Sequence, residues 1–96
     1  MTAARDAESL RRLASPAELG LPLQALWHDA QGDWEMAHTV AQRAGDRDGD
    51  WVHAYLHRKE GDEANARYWY TRAGRPLPAV SLDDEWAAIV TDLLRR

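Results

Sequence analysis

The sequence predicts an all-α protein, and three of its features support this prediction. Apolar side chains recur three or four residues apart in successive segments, for example between residues 21 and 31. Gly-Asp pairs at 32–33 and 61–62 combine a residue that ends helices with one that caps the next helix. No segment alternates apolar and polar side chains over a useful strand length. Residues 1–96 have a suitable length for one helical domain.

The first predicted helix covers residues 3–14 and forms an N-terminal cap within residues 1–20. Its apolar face consists of Ala3, Ala7, Leu10 and Ala14. Pro16 follows this segment, and the residue before a proline avoids the helical region, so the helix is expected to end there. A short turn at 16–19 then leads into the next helix.

Residues 21–45 are predicted to form a first helical hairpin. Its first helix begins near Leu21, with a proline in the first turn, where a missing N–H group costs little. Gly32 is expected to end this helix. Asp33 should cap the second helix of the hairpin, which runs to about Ala44.

Residues 46–76 are predicted to form a second hairpin of the same kind. The segment 45–49, GDRDG, consists of residues typical of turns, so the next helix is placed at about 50–60. A second Gly-Asp pair then separates it from a helix over 63–73. Trp69 and Tyr70 lie on the apolar face of that helix and are expected to be core residues.

Residues 77–96 are predicted to form a C-terminal cap. Prolines in the preceding loop prevent the earlier helix from continuing. Ser81 and Asp84 form a capping box at the start of a last helix over 82–95. Its apolar face consists of Leu82, Trp86, Ile89, Val90 and Leu93. We expect this face to cover the side that the second hairpin leaves open.

The two predicted hairpins are copies of one unit. Between residues 28 and 45, seven positions are identical to the positions 29 residues later. The pairs are His28 and His57, Gly32 and Gly61, Asp33 and Asp62, Ala37 and Ala66, Arg43 and Arg72, Ala44 and Ala73, and Gly45 and Gly74. Because these identities fall at turns, caps and helix contacts, they indicate an internal repeat.

This pattern resembles a tetratricopeptide-type repeat over about residues 21–76. The positions in register are Ala54, Gly61, Asp62, Ala66, Tyr70 and Ala73. The string ARYWYTRA at 66–73 is similar to the second helix of Sel1-like repeats. The phrases DWVHAYLHRKEGD and NARYWYTRAGRP are also similar to short bacterial proteins with no assigned activity. The resemblance implies a compact fragment of an α-α superhelix, with five to six helices and a capping helix at each end.

The resemblance also implies a binding groove, because the first helix of each hairpin lines a concave surface in such folds. The positions carried over are Trp51, Tyr55, Arg58 and Lys59 of the second hairpin and Asp29 of the first. An aromatic pair beside two cations suits a peptide or partner helix that carries an acidic group. The preferred function is therefore a small module that binds a protein or peptide.

A histidine-based metal site is the alternative. His53 and His57 are four residues apart, so both rings project from one side of a helix, a spacing that suits a divalent ion. A third ligand would have to come from Asp50, Asp29, Glu35 or His38. The sequence favours a structural role instead, with His28 and His57 at the edge of each hairpin's seam and hydrogen-bonded to a backbone carbonyl or an acid. No nucleophile motif accompanies them, so an enzyme is not favoured.

Composition narrows the remaining classes of function. The formal net charge is -4 and the basic residues are scattered, which is not the pattern of a nucleic-acid-binding protein. The absence of cysteine excludes disulfides and thiolate metal sites. No segment approaches the roughly 18 apolar residues of a membrane span. We expect a cytoplasmic protein without a cofactor, and a homodimer formed through exposed Trp side chains is a further alternative.

Overall fold

A computed structural model describes residues 6–96, which form six α-helices and no strand. The helices are α1 (Ala7–Arg11), α2 (Leu21–Ala30), α3 (Trp34–Ala44), α4 (Arg47–Glu60), α5 (Glu63–Ala73) and α6 (Leu82–Leu94). The all-α prediction is therefore confirmed for this part of the chain. Consecutive helices from α2 to α5 pack against one another, α2 on α3, α3 on α4 and α4 on α5.

The repeated Gly-Asp pairs adopt the same structure in both copies. Gly32 and Gly61 have φ values of 87° and 89°, a left-handed conformation that favours glycine. Asp33 and Asp62 each accept a hydrogen bond from the backbone N–H group three residues later, at 3.1 and 3.2 Å. Because each pair ends one helix and caps the next, the sequence correctly placed the starts of α3 and α5.

The start of α4 differs from the prediction. The segment 45–49 was expected to be a turn, yet α4 begins at Arg47 because the Asp46 side chain accepts a hydrogen bond of 2.7 Å from Gly49 N–H. Gly49 is buried inside the first turns of the helix. A Cβ atom at this position would lie 2.7 Å from Cβ of Ala44, so glycine here permits a close approach between α3 and α4.

Helix α1 is shorter than predicted. It ends at Arg11, and the chain then leaves in a tight turn, since Arg12 N–H bonds the carbonyl oxygen three residues back at 3.1 Å. Of its predicted apolar face, Leu10 is buried and Ala14 is exposed. Ala3 lies outside the described residues.

Helix α6 packs against α4, α1 and α2, and its backbone does not approach α5. Helix α6 thus lies on α4 of the second hairpin and, in addition, on α1 and α2 of the preceding part of the chain. Trp86 is almost completely buried, and its Nε1–H donates a 3.0 Å hydrogen bond to the carbonyl oxygen of Leu26 in α2. The Arg11 guanidinium lies 4.0 Å above the Trp86 ring. The predicted core side chains Ile89 and Val90 are fully buried.

The aromatic side chains are distributed between core and surface. Tyr70 is buried as predicted, and Trp69 is half-buried. Among the five Trp side chains none is exposed, so an exposed Trp surface of the kind the homodimer prediction invokes is not formed. The homodimer itself stays a prediction. From residue 6 onward, the chain contains no helix with the length and apolar character needed to cross a bilayer.

Candidate metal centre

Three of the four histidines meet at the contact between α3 and α4. His38 comes from α3, and His53 and His57 come from successive turns of α4. One ring nitrogen from each lies within 4.8 Å of those of the other two. The Nε2 atoms of His38 and His53 are 2.9 Å apart. We call these three residues the histidine cluster.

The pairing of α3 with α4 brings His38 to the other two histidines. The indole Nε1–H of Trp34 donates a 2.9 Å hydrogen bond to the carbonyl oxygen of Leu56. One turn later on α3, His38 lies opposite His53, which is earlier on α4. The residue numbers rise along one helix as they fall along the other, so the two helices run antiparallel.

Two indole rings restrict the orientation of the cluster. Trp34 stacks on His38 with ring centroids 5.0 Å apart and planes inclined by 13°. Trp69, from α5, stacks on His53 with centroids 4.0 Å apart and an angle of 23°. Because each histidine is packed against a flat ring, its nitrogen atoms are oriented by the core of the protein rather than by solvent.

Glu60 fixes the orientation of the His57 ring. The two residues are three apart on α4, and Glu60 Oε2 lies 2.6 Å from Nδ1 of His57. A carboxylate in this position accepts the Nδ1–H hydrogen bond, so the neutral ring presents an unprotonated Nε2. This is the arrangement found for histidines that bind metals, in which an outer carboxylate fixes the tautomer and raises ligand basicity.

The environment keeps His38 and His53 neutral. Burial, together with the charges that His38 and His57 would carry, lowers the pKa of His53 to about 4. Burial likewise lowers the pKa of His38, an effect increased by His57 and opposed by Glu60. At neutral pH these rings are therefore unprotonated, which is the form that binds a metal ion.

The spacing of the nitrogens suits a small transition-metal ion. A tetrahedral zinc ion with Zn–N bonds of about 2.0–2.1 Å requires ligand nitrogens about 3.3 Å apart. The cluster has one pair at 2.9 Å and all three nitrogens within 4.8 Å, so small side-chain movements would reach this geometry. Three nitrogens leave a fourth coordination position for water or another ligand.

A second possible donor group shares His57. It combines His57 with Glu60 and Asp62, whose ligand atoms also lie within 4.8 Å of one another. Asp62, however, is the cap of α5, and both of its carboxylate oxygens accept hydrogen bonds of 3.2 Å from Asn65. The histidine cluster is therefore the better candidate.

Asp50, the carboxylate predicted beside His53 and His57, faces elsewhere. Its Oδ2 lies 3.6 Å from Nε of Arg72, in a pocket that also includes His53. Instead, the structure places His38 beside His53 and His57. His38 was one of the four possible third ligands considered from the sequence.

Three of the predicted groove residues, Asp29, Tyr55 and Lys59, form one hydrogen-bonded group. Asp29 accepts a 2.9 Å hydrogen bond from the Tyr55 hydroxyl and a 2.9 Å bond from Lys59 Nζ. Asp29 and Tyr55 are both buried. Burial and the nearby Asp29 carboxylate raise the pKa of the Tyr55 hydroxyl. This group connects α2 to α4.

The other predicted groove residues contact α6 and the loop before it. Arg58 donates hydrogen bonds of 2.7 Å to Glu85 and 2.6 Å to the Val80 carbonyl oxygen. Glu85 also accepts a hydrogen bond from the Tyr70 hydroxyl. The Trp51 ring lies 3.7 Å from the Arg75 guanidinium carbon. The predicted groove residues therefore already contact α6, a helix of the same chain that carries the acidic side chain of Glu85.

Sequence reasoning did not assign Glu60, Trp34 and Trp69 to this site. Glu60 was detectable, because a glutamate three residues after His57 lies on the same side of a helix. The two Trp residues carried no comparable signal, since their positions relative to the histidines depend on how α3 and α5 pack against α4.

Comparison of the chain with protein-family models, with curated proteins and with solved structures found no match. The functional interpretation therefore rests on the geometry and chemistry of the site.

Proposed function

We propose that this protein binds one transition-metal ion, of the Zn²⁺ type, through His38, His53 and His57. The observation that carries the proposal is the convergence of three histidine ring nitrogens, from two helices, within 4.8 Å. Nitrogen ligands of this kind suit Zn²⁺, Cu²⁺, Ni²⁺ and Co²⁺, and the absence of cysteine argues against softer thiolate chemistry. Glu60 acts as the outer carboxylate of the site.

A bound ion would connect the two hairpins. His38 belongs to α3 of the first hairpin, whereas His53 and His57 belong to α4 of the second. Binding to the folded state alone stabilises a protein by RT ln(1 + [L]/Kd), about 2.7 kcal/mol at a hundredfold excess over Kd. The ion would therefore strengthen the contact between the hairpins, and the open fourth position would leave it available to a further ligand.

The tetratricopeptide-like or Sel1-like architecture is part of this proposal. Two consecutive helix pairs with equivalent Gly-Asp turns support it. A peptide-binding function for the groove stays a prediction. Because Arg58 and Tyr55 are engaged in contacts within the chain, we place metal binding ahead of peptide binding.

Calorimetric titration of Zn²⁺ into metal-free, tag-free protein tests the proposal. The wild type should bind one ion per chain. His38→Ala should weaken binding by more than about a hundredfold, about 2.7 kcal/mol, since it removes one of three ligands. We choose His38 because it is the least buried of the three, and circular dichroism would verify that the variant remains helical.

His28→Ala is the matched control. His28 occupies the same repeat position as His57 but lies against Trp27, with ring centroids 5.1 Å apart, outside the cluster. The His28→Ala protein should bind Zn²⁺ with the affinity of the wild type. Equal affinity of the His38→Ala and wild-type proteins, or no saturable binding to the wild type, would rule out the proposed site.

A further inference from the structure

A pocket of about 200 Å³ lies beside the histidine cluster and shares His53 with it. Its other lining residues are Gln42, Gly45, Asp50, Trp69 and Arg72. They come from α3, α4, α5 and the turn between α3 and α4. We call this space the Arg72 pocket.

The Arg72 pocket lies about one helical turn from the cluster along each of two helices. Gln42 follows His38 by four residues on α3, and Asp50 precedes His53 by three on α4. One turn of α-helix advances about 5.4 Å. The pocket is therefore close enough to the histidine cluster for one small molecule to lie near both.

Arg72 is oriented toward this space without being tightly bound. Its guanidinium lies 5.1 Å from the centroid of Trp69, the same ring that stacks on His53. Arg72 Nη1 lies 3.3 Å from the Tyr68 hydroxyl, and Arg72 Nε lies 3.6 Å from Asp50 Oδ2. Both are longer than a strong charge-assisted hydrogen bond, which is about 2.7–2.9 Å.

The charge in the pocket depends on the metal. In the metal-free protein, Arg72 and Asp50 carry opposite charges that offset each other. A divalent ion held by three neutral imidazoles adds two positive charges that no cluster ligand neutralises. The combined site then attracts an anion, and a guanidinium binds a pair of carboxylate or phosphate oxygens in its plane.

We infer that the Arg72 pocket binds a small carboxylate or phosphate anion in the metal-loaded protein. The anion is held by Arg72 and Gln42 at one end and directed toward the open coordination position of the ion at the other. The inference rests on the proposed metal centre, for which it names the class of ligand. The size of the pocket limits this ligand to a small molecule.

Titration of the Co²⁺-loaded protein with acetate and with inorganic phosphate tests this inference. The visible absorption of protein-bound Co²⁺ responds to a change in its ligands, and calorimetry measures the same anions with the metal-free protein. We expect at least one of the two anions to change the spectrum saturably and to bind the metal-free protein much more weakly.

Two arginine variants make the test specific. Arg72→Gln should lower the affinity for the anion roughly tenfold or more, as expected for the loss of one charge-assisted hydrogen bond. Its Co²⁺ affinity should stay unchanged. Arg43→Gln is the control, because Arg43 occupies the same repeat position on α3 and is exposed. It should bind the anion like the wild type.

The possible failures are distinguishable. Normal Co²⁺ binding with no response to either anion overturns this inference and leaves the metal centre intact. Equal anion affinity in the Arg72→Gln and Arg43→Gln proteins, or equal binding to the metal-free protein, also overturns it. Failure to bind Co²⁺ at the histidine cluster overturns the metal centre, and the inference with it.

Discussion

At the scale of single residues, the contact between His57 and Glu60 offers a test of what determines the metal affinity of the site. Their 2.6 Å contact holds the ring and leaves Nε2 free. Glu60→Gln keeps the size of the side chain but removes its charge. We expect Zn²⁺ affinity to fall roughly 10- to 100-fold, the usual effect of removing an outer carboxylate. Competition against a chelating dye measures this.

Glu63→Gln is the control for that substitution. Glu63 is an exposed acid in the first turn of α5, outside both candidate donor groups. It should leave Zn²⁺ affinity unchanged. Identical affinities in the two glutamine variants would show that Glu60 does not support the site.

The lowered pKa values of His53 and His38 predict acid sensitivity of the metal-free protein. The unfolded chain takes up protons near pH 6.5, whereas folded His53 does so only near pH 4. Stability should therefore be level above about pH 6.5 and fall as the pH drops toward 4. The slope is at most about 1.4 kcal/mol per pH unit for each titrating histidine.

Urea denaturation at pH 7.5 and pH 5 measures this dependence, within a range where most carboxylates remain ionised. His53→Gln should reduce the difference between the two values. The charge of Glu60 favours protonation of His38. Glu60 therefore reduces the contribution of His38 to the loss of stability at low pH. Higher stability at pH 5 than at pH 7.5 would contradict the account.

The sequence was sufficient for the part of the site that lies within one helix. His53 and His57 could be paired because the geometry of a single helix is fixed. His38 could be named only as one donor among four, since its position depends on the alignment of α3 with α4. Local periodicity contains no information on that alignment.

Among the helices, α6 connects α4 with α1 and α2. Glu85 of α6 is buried and paired with Arg58 of α4 at 2.7 Å. Arg58→Ala would leave that carboxylate without its cation, a change that costs about 3 kcal/mol or more in comparable buried pairs. Chemical denaturation should show this loss.

Arg67→Ala provides the comparison for that variant. Arg67 is exposed on α5, and substitutions at such positions usually change stability by less than about 0.5 kcal/mol. If Arg58→Ala were as stable as the wild type, the ion pair would not fasten α6. Arg58 would then again be available for the predicted partner groove.

Helix boundaries were predictable wherever a side chain caps a turn. Asp33, Asp62 and Ser81 begin α3, α5 and α6 where the sequence placed them. The start of α4 was misplaced because an Asp- and Gly-rich segment reads as a turn, although Asp46 caps a helix there. The contacts of α6 with α1 and α2 were not predicted, because an amphipathic pattern identifies the buried face but not the helices that bury it.

Over the whole molecule, the described residues measure 39 × 23 × 22 Å, and their main core consists of side chains from α1, α2, α3, α4 and α6. Ala66 and Tyr70 of α5 form a smaller second core with Ala54 of α4. A truncated chain of residues 1–78 loses Trp86, Ile89 and Val90, three of its largest buried side chains. At about 1.5–3 kcal/mol for each large apolar side chain, this exceeds the stability margin of many small domains. We expect an unstable or self-associating product.

Size-exclusion chromatography and circular dichroism compare that truncated chain with residues 1–96. Low helicity or a broad, concentration-dependent elution is the expected result. A cooperative, helical monomer of residues 1–78 would refute the role of α6 in completing the core.

The most direct measurement of the central claim is histidine-selective NMR during titration with Zn²⁺. The protein has four histidines, and the account predicts that three of them change together. Ring resonances of His38, His53 and His57 should shift in parallel up to one equivalent of Zn²⁺, with Nε2 as the ligand atom of His57, while His28 remains unchanged. No coordinated shift of the three, or an equal response of His28, would contradict the account.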